Sequence, residues 1–312
     1  MKLGKIILKT LKLFHLISET QYRRGKIRYL PHVDKAKTQK EIDNFNSLGV
    51  VHSERSPKII VSLTSFPERM YDIHFTIYSL LNQSLKPDTI ILWLAEEQFP
   101  NKEKDVPADV LKLQNNGLQI KWCNDIRSYK KLIPTLKEYP NDIIVTTDDD
   151  IYYPPTWLEL LYTSYLHNPN AVHCHRGHKL RFAEDGSILP YKKWKHRIKH
   201  DTPSFKNFFT GAGGVLYPPH CLHSDVSNQR LFQSLAPNAD DIWFWAMALL
   251  NQTPINIVEH NLKDLIYVNP ERELKLTSEF TLAMVNTASG QNDRQLKQVL
   301  EHYPQIKMCL QK

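Results

Sequence analysis

An apolar run that leads directly into three carboxylates, IIVTTDDD, occupies residues 143–150. A short and nearly continuous run of β-branched residues is typical of a strand that is buried on both faces, as in parallel sheets. Two further runs of this character occupy residues 58–63 and 89–94, and segments with helical spacing separate the three. This alternation predicts an α/β fold, with a mostly parallel central sheet and helices on both of its faces.

The three aspartates lie where such a sheet would bind a ligand. Asp148, Asp149 and Asp150 follow the strand at its carboxyl end, and open α/β sheets bind their ligands outside those ends. Adjacent carboxylates repel one another, and a bound cation relieves the repulsion. In an extended backbone Asp148 and Asp150 would point the same way, with Asp149 opposite. The pattern favours a Mg²⁺ or Mn²⁺ site on Asp148 and Asp150 that leaves positions open for a diphosphate, and a solvated acidic turn is the alternative.

The positive charge of the chain belongs to its N-terminal arm, residues 1–40. The whole chain has a net charge of +7, whereas the arm alone carries +9 and residues 41–312 carry −2. Nucleic-acid binding would need basic residues spread over a docking face, so it is not predicted. Helical spacing in the arm separates lysines from a broad apolar face. This pattern predicts a basic amphipathic helix that either lies on an anionic membrane surface or packs on protein.

Composition and short motifs exclude several other classes of protein. The four cysteines are scattered and form no CxxC pair, which excludes a disulfide scaffold and a zinc ribbon and fits a reducing compartment. The longest apolar run of the arm is residues 6–8, far too short to span a membrane, and no signal-peptide cleavage pattern follows it. We therefore expect a cytoplasmic protein, peripheral on the inner face of the cytoplasmic membrane if the arm binds lipid.

The order of elements and motifs along the chain resembles that of GT-A-type glycosyltransferases, close to the family 2-like bacterial enzymes that build surface polysaccharides. The resemblance is carried by the strand and turn of residues 59–69, the DXD-like motif of residues 148–150 and the late acidic pair Asp240-Asp241. It extends over about residues 57–260. It implies a Rossmann-like GT-A sheet to which the basic N-terminal helix is an appendage.

The same resemblance implies how the chain is divided. Residues 57–312 would form a single catalytic domain, since no break in composition marks a second one. About residues 57–154 would bind the nucleotide, and about residues 155–312 would bind the acceptor. The implied reaction moves a sugar from a nucleotide-sugar donor to a saccharide or lipid-linked saccharide acceptor, with inversion at the anomeric carbon.

Individual site residues follow from the resemblance. The implied nucleotide-sugar site consists of Thr64, Arg69, Asp125, Lys131, Asp148 and Asp149. Asp150, helped by Asp148, would hold a Mn²⁺ or Mg²⁺ ion at the donor diphosphate. Asp241 matches the second acid of the family's Glu-Asp motif and would deprotonate the acceptor hydroxyl as general base. Because Asp240 replaces the glutamate of that motif, Asp240 remains an alternative base.

Three residues are expected on the acceptor side. Gly213 and Gly214 lie in the run GAGG and would let the backbone approach a sugar closely, although a tight turn is an equal alternative. Trp243 would stack on a sugar face, and its alternative is packing in the core.

Two other functions compete with glycosyl transfer. A nucleotidyltransferase also uses paired aspartates to hold metal ions, but it usually has a glycine-rich phosphate loop near the first strand, and Thr64–Arg69 contains no glycine. A non-catalytic protein could use the aspartates to bind calcium or a sugar.

Overall fold

The computed structural model describes residues 2–14, 16–18, 21–22, 25, 27–52, 54–262, 264–272 and 290–311. Its strands are β1 (Ile59–Thr64), β2 (Thr89–Ala95), β3 (Leu118–Cys123), β4 (Ile143–Thr146), β5 (Ile151–Tyr152), β6 (Val172–Cys174), β7 (Gly177–Lys179), β8 (Asp201–Ser204), β9 (Asn207–Phe209), β10 (Val215–Tyr217), β11 (Ile255–Ile257) and β12 (Ile266–Tyr267). Its α-helices include α1 (Lys2–Leu13), α2 (Lys35–Asp43), α3 (Ile73–Leu81), α4 (Ala108–Lys112), α5 (Ile133–Glu138), α6 (Trp157–His167), α7 (Gln229–Leu235), α8 (Asp240–Leu250), α9 (Gln291–His302) and α10 (Ile306–Gln311).

Eight of these strands form the central sheet, in the order β3-β2-β1-β4-β10-β6-β11-β8. Strands β1 to β4 are parallel to one another, and β10 is antiparallel to both β4 and β6. The predicted mostly parallel α/β sheet with flanking helices is confirmed.

Two large apolar clusters hold the helices on this sheet. One surrounds β1, β2 and β4 and includes α3, whose nine residues are all buried. The other surrounds α8 and includes the aromatic side chains of Trp243, Phe244 and Trp245. Because α8 is fixed in the core along its length, the acidic residues at its first turn are held in a defined position.

The strand register brings the predicted site residues to one edge of the sheet. Ser62 of β1 pairs with Thr146 of β4, so both parallel strands end together, just before Ser65 and Thr147. Val215 pairs with the same Thr146, and since β10 is antiparallel its first residue lies at this edge. The loop that precedes β10 therefore lies beside the aspartates that follow β4.

Two predicted helices can be compared with the structure. The one expected near residues 292–302 is α9. The one expected over residues 128–139, with an interruption at Pro134, is divided into a 3₁₀ turn, Arg127–Lys131, and α5. Pro134 lies in the first turn of α5, where its missing N–H costs no helical hydrogen bond and its φ angle is preset for the helix. Residues 273–289 of the expected catalytic domain lie outside the described residues.

The predicted helix of the N-terminal arm is α1, and its apolar residues are largely exposed. They include Ile6, Ile7 and Leu13, and the residues Phe14 and Leu16 that follow are exposed as well. No helix of the described ranges combines the length and the apolar character that crossing a membrane requires.

Candidate active site

A buried lysine joins the end of β4 to the start of α8. The Lys131 Nζ lies 3.0 Å from Asp148 Oδ1 and 2.9 Å from Asp240 Oδ2. Burial alone would lower the pKa of Lys131, but the charges of Asp148 and Asp240 raise it well above its usual range. Lys131 is therefore a fixed positive charge between two carboxylates that are distant in sequence.

The second acid of the pair at the start of α8 has a different environment. The backbone N–H of Gly211 donates to Asp241, 3.0 Å from Oδ1 and 3.2 Å from Oδ2. Burial, and then the charge of Asp240, raise the pKa of Asp241 to about 7. A Cβ atom at Gly211 would lie 2.8 Å from Lys131 Nζ and 3.0 Å from Asp241 Oδ1, so the close approach of these groups requires glycine at this position.

The other two aspartates share an arginine. Arg69 Nη1 donates to Asp149 Oδ1 at 2.5 Å and to Asp150 Oδ2 at 2.9 Å. The Ser65 hydroxyl donates to Asp149 Oδ2 at 2.6 Å. Burial raises the pKa of Asp150 to about 6, with Arg69 opposing the shift and Asp149 and Asp148 adding to it. We call Asp148, Asp149, Asp150, Asp240 and Asp241, with Lys131 and Arg69, the carboxylate cluster.

This geometry corrects two expectations. The backbone turns at residues 149–150 rather than staying extended, so the alternation assumed for the three aspartates does not apply. Asp149 has a side chain only 7% exposed, and both of its oxygens accept hydrogen bonds within the protein, so its carboxylate supports Arg69 instead of lying open to a nucleotide. Asp148 and Asp150 are more exposed, at 31% and 22%.

Asp125 and Thr64 lie at the same edge of the sheet in separate interactions. Asp125 follows β3 and accepts a hydrogen bond from Lys130 Nζ at 2.8 Å and another from Gln98 Nε2 at 3.1 Å. Burial would raise the pKa of Asp125, but the hydrogen bonds from Lys130 and from the Arg127 N–H lower it, so this carboxylate is ionised. The Thr64 hydroxyl donates to the carbonyl of Trp93 in the neighbouring strand, at 2.8 Å.

The predicted glycines pack against protein groups. A Cβ atom at Gly213 would lie 2.5 Å from Arg176 Cβ. Gly214 has a φ of +88°, and a Cβ there would lie 2.4 Å from the indole of Trp157. Both glycines allow the loop before β10 to pack closely, and it is Gly211 that adjoins the carboxylates.

Trp243 is a core residue and not a sugar-stacking surface. Its side chain is fully buried, and its Nε1 donates to the carbonyl of Val226 at 3.0 Å. The expectation that its ring stacks on a sugar is wrong, because no face of the indole is open.

Several residues of the site were not predicted from the sequence. Tyr153 links the two loops, since its hydroxyl accepts from the N–H of Asp148 at 3.0 Å and donates to the carbonyl of Ala212 at 3.2 Å. Because Tyr153 stands only three residues after Asp150 in the sequence, its proximity to the aspartates was predictable. Ser65 contacts Asp149 and Gly211 contacts Asp241 across distant parts of the chain. The residues around Ser65 and Gly211 in the sequence therefore do not indicate these contacts.

The chemistry of the carboxylate cluster fits a hard divalent cation. Within the described residues, no three His, Cys, Asp or Glu side chains converge as a ready-made metal site. The cluster nevertheless contains five carboxylates and only two cations. Burial, and then the neighbouring carboxylates, raise the pKa values of Asp150 and Asp241. Asp148 and Asp150 offer oxygen ligands of the kind that Mg²⁺ and Mn²⁺ prefer, and the other ligands would come from substrate and water.

No protein-family model matches the chain, and no curated protein does. Among solved structures the chain is similar to S. aureus TarS 1-349, with 14% identity and a TM-score of 0.44 over 78% of this chain and 70% of that one; the TarS complex with UDP gives 15% identity and the same TM-score and coverage. It is also similar to the inositol-1-phosphate CTP transferase of T. maritima, with 11% identity and a TM-score of 0.41 over 78% of this chain and 96% of that one.

A shorter similarity is to the Mycobacterium tuberculosis glucosyl-3-phosphoglycerate synthase in complex with Mn²⁺, UDP and glucosyl-3-phosphoglycerate. The identity is 16% and the TM-score 0.30, over 38% of this chain and 43% of that one. With all of these TM-scores below 0.5, the likenesses carry no argument about activity. The α/β fold and the candidate site rest on the sheet and side chains described above.

Proposed function

We propose that the protein is a metal-dependent, inverting glycosyltransferase that moves a sugar from a nucleotide-sugar donor to a saccharide or lipid-linked saccharide acceptor. The observation that supports this proposal is the carboxylate cluster. It combines, at one edge of the sheet, the oxygen ligands for a cation at a diphosphate with a carboxylate whose pKa is near neutrality. Glycosyl transfer needs both, because the leaving group gains negative charge while the attacking hydroxyl loses a proton.

Asp241 is the better candidate for the general base. Asp240 is buried and its Oδ2 is ion-paired with Lys131, so it is already committed within the protein. Among the described residues, Asp241 receives a hydrogen bond from the Gly211 backbone N–H alone. A carboxylate with a pKa of about 7 takes up a proton readily at neutral pH. We therefore assign Asp241 to the acceptor hydroxyl and Asp240 to the fixation of Lys131.

The donor side would use the remaining members of the cluster. Asp148 and Asp150 would hold the cation, which when bound supplies a Lewis acid that stabilises the departing nucleoside diphosphate. Arg69 is held by Asp149 and lies beside Asp150, so its guanidinium is positioned near where phosphate oxygens would bind. Thr64, the last residue of β1, and Asp125, which follows β3, would border the nucleoside.

A donor-hydrolysis assay tests this proposal. The protein is incubated with a panel of UDP-, GDP- and CMP-sugars in Mn²⁺ or in EDTA, and nucleotide release is measured. We expect release from one donor in Mn²⁺ only, and we expect Asp150→Asn to lose it. The exposed carboxylate of Glu184 provides the matched control, since Glu184→Gln removes one negative charge outside the cluster.

The competing functions give other results in the same assay. A nucleotidyltransferase would release pyrophosphate from a nucleoside triphosphate in the presence of a sugar phosphate, and would leave nucleotide-sugars intact. A binding protein would be stabilised by a ligand without turning it over, with Asp150→Asn leaving that stabilisation unchanged. Either result would overturn the proposal.

For the location of the enzyme, we propose that α1 lies on an anionic membrane surface. The apolar side chains of Ile6, Ile7 and Leu13 are exposed, and Lys9 on the same helix is exposed as well. Apolar groups of such a helix enter the headgroup boundary while lysines meet the lipid phosphates. A lipid-linked acceptor in surface polysaccharide synthesis would be found at such a surface.

A further inference from the structure

A recess beside the carboxylate cluster contains two arginines that lack an acidic partner. Arg176 and Arg197 line it together with Asp264 and Tyr267, and we call it the arginine recess. Within the described part of the chain, neither guanidinium has a carboxylate oxygen within 4.0 Å, the limit for an ion pair, although Asp264 lines the same recess. Its three charged side chains leave the arginine recess with a net positive charge.

Arg176 is held in place with a hydrogen-bond donor left over. Its Nη1 donates to the Thr210 hydroxyl at 2.8 Å, while its Nε is buried and has no hydrogen-bond partner among the residues that the structure describes. A buried donor without a partner costs about 1–3 kcal/mol, so an acceptor that reaches it is bound favourably. Burial, and then the charge of Arg197, lower the pKa of Arg176.

The arginine recess adjoins the proposed general base through two consecutive residues. Thr210 accepts from Arg176, and the next residue, Gly211, donates its backbone N–H to Asp241 at 3.0 Å. Tyr191 lies within electrostatic reach of Asp241, Arg176 and Arg197. Arg176 and Asp241 are therefore linked through adjacent residues of one loop.

We propose that the arginine recess binds an oxyanion, a phosphate or a carboxylate group, carried by the acceptor saccharide. The planar fork of a guanidinium matches both groups, and two such forks beside one base would hold the acceptor with its hydroxyl towards Asp241. The naming of this ligand as the acceptor rests on the proposed function. Asp264 lines the same recess, and its negative charge would repel the bound anion and weaken its binding.

The experiment measures thermal unfolding without donor and in EDTA, with glucose 6-phosphate, glucuronate or glucose as the probe. We expect at least one of the two anionic sugars to raise the unfolding midpoint by a few degrees, and glucose to leave it unchanged. A shift with glucose 6-phosphate alone identifies a phosphorylated acceptor, and a shift with glucuronate alone identifies an acidic sugar; either supports the proposal. No shift with either anion would overturn it.

Variants separate the arginine recess from other basic sites. Arg197 is exposed, so Arg197→Gln should fold, and we expect it to remove most of the shift, whereas Arg181→Gln in the neighbouring exposed loop should keep it. Arg176→Lys keeps the charge but loses the fork and should reduce the shift, and Asp264→Asn should increase it. An equal shift in wild type and Arg197→Gln would overturn the proposal. Donor hydrolysis is measured separately with Mn²⁺, so a failure here is distinguishable from a failure of the glycosyltransferase proposal.

Discussion

The carboxylate cluster and the arginine recess lie on either side of the short loop from Thr210 to Gly214, and they treat charge in opposite ways. In the carboxylate cluster Lys131 and Arg69 each pair with two aspartates, so the excess of negative charge is partly met inside the protein. In the arginine recess the Arg176 guanidinium donates to the Thr210 hydroxyl, and no carboxylate of the described residues forms an ion pair with it. Buried charge usually has a partner within the protein, so a missing partner indicates where a ligand supplies one.

The largest effect is expected for Asp241→Asn, which removes the proposed base and keeps a hydrogen-bond acceptor for Gly211. We expect kcat for glycosyl transfer to fall about 10²–10⁴-fold, the usual contribution of a general base, with KM for the donor nearly unchanged. Steady-state kinetics with a saturating acceptor give both constants.

Asp240→Asn is the comparison that can contradict this assignment. It disturbs Lys131, so some loss of activity is expected, but transfer should still depend on the ionisation of Asp241. The pH profile should move to lower pH, because the charge of Asp240 no longer raises the pKa of Asp241. If Asp240→Asn loses the larger part of kcat and Asp241→Asn keeps most of it, the roles of the two aspartates are reversed.

A smaller effect is expected at the donor side of the carboxylate cluster. Asp150→Asn should reduce donor turnover about 10²-fold and abolish the additional thermal stabilisation that Mn²⁺ gives in the presence of nucleotide. Asp149→Asn should instead destabilise the fold, by about 1–3 kcal/mol, because Arg69 and Ser65 lose a charged partner. Equal loss of metal response in both variants would contradict the separation of Asp150 as ligand from Asp149 as support.

The sequence predicts the half of the sheet that is built from long apolar strands. Strands β1, β2 and β4 read as nearly continuous apolar runs, and aspartates that follow such a run are predicted to lie at the ligand edge from the residue pattern alone. The acidic pair at the start of α8 is predicted instead from its position along the chain, after the DXD-like motif. The three strands are predictable because burial on both faces of the sheet favours apolar residues at every position of a strand.

The other half of the site depends on contacts that no local pattern records. Gly211 reaches Asp241 only because β10 is antiparallel and starts at the ligand edge, and β10 has only three residues. Arg176 follows a three-residue strand in a stretch rich in histidine, where no period is visible. Trp243 lies in the core and not at a sugar site. An aromatic residue after an acidic pair gives the same sequence pattern in both cases, so the pattern does not distinguish them.

The stability of the metal-free protein offers a smaller test of the carboxylate cluster. The pKa of Asp241 is raised from about 4 in the unfolded chain to about 7, so this carboxyl favours the folded state below about pH 4, and that contribution is lost as pH rises to 7. Asparagine is uncharged throughout. In EDTA we therefore expect Asp241→Asn to be more stable than wild type at pH 8, by up to about 4 kcal/mol, and the difference to vanish near pH 4. Denaturant unfolding at both pH values measures it, and a variant less stable than wild type at pH 8 would contradict the assignment of excess negative charge.

The smallest effect is expected on α1, where the charge of Lys9 is exposed instead of being buried. If the lysines of this helix meet lipid phosphates, Lys9→Gln should weaken binding to vesicles that contain anionic lipid about fivefold, since each lysine contributes about 1 kcal/mol at such a surface. Neutral vesicles provide the control, because they should bind both proteins weakly and equally. Co-sedimentation with vesicles measures the two affinities. Equal binding of wild type to anionic and neutral vesicles would show that the charge of the arm does not direct it to membranes, and the exposed Ile6, Ile7 and Leu13 would then have to be covered by protein.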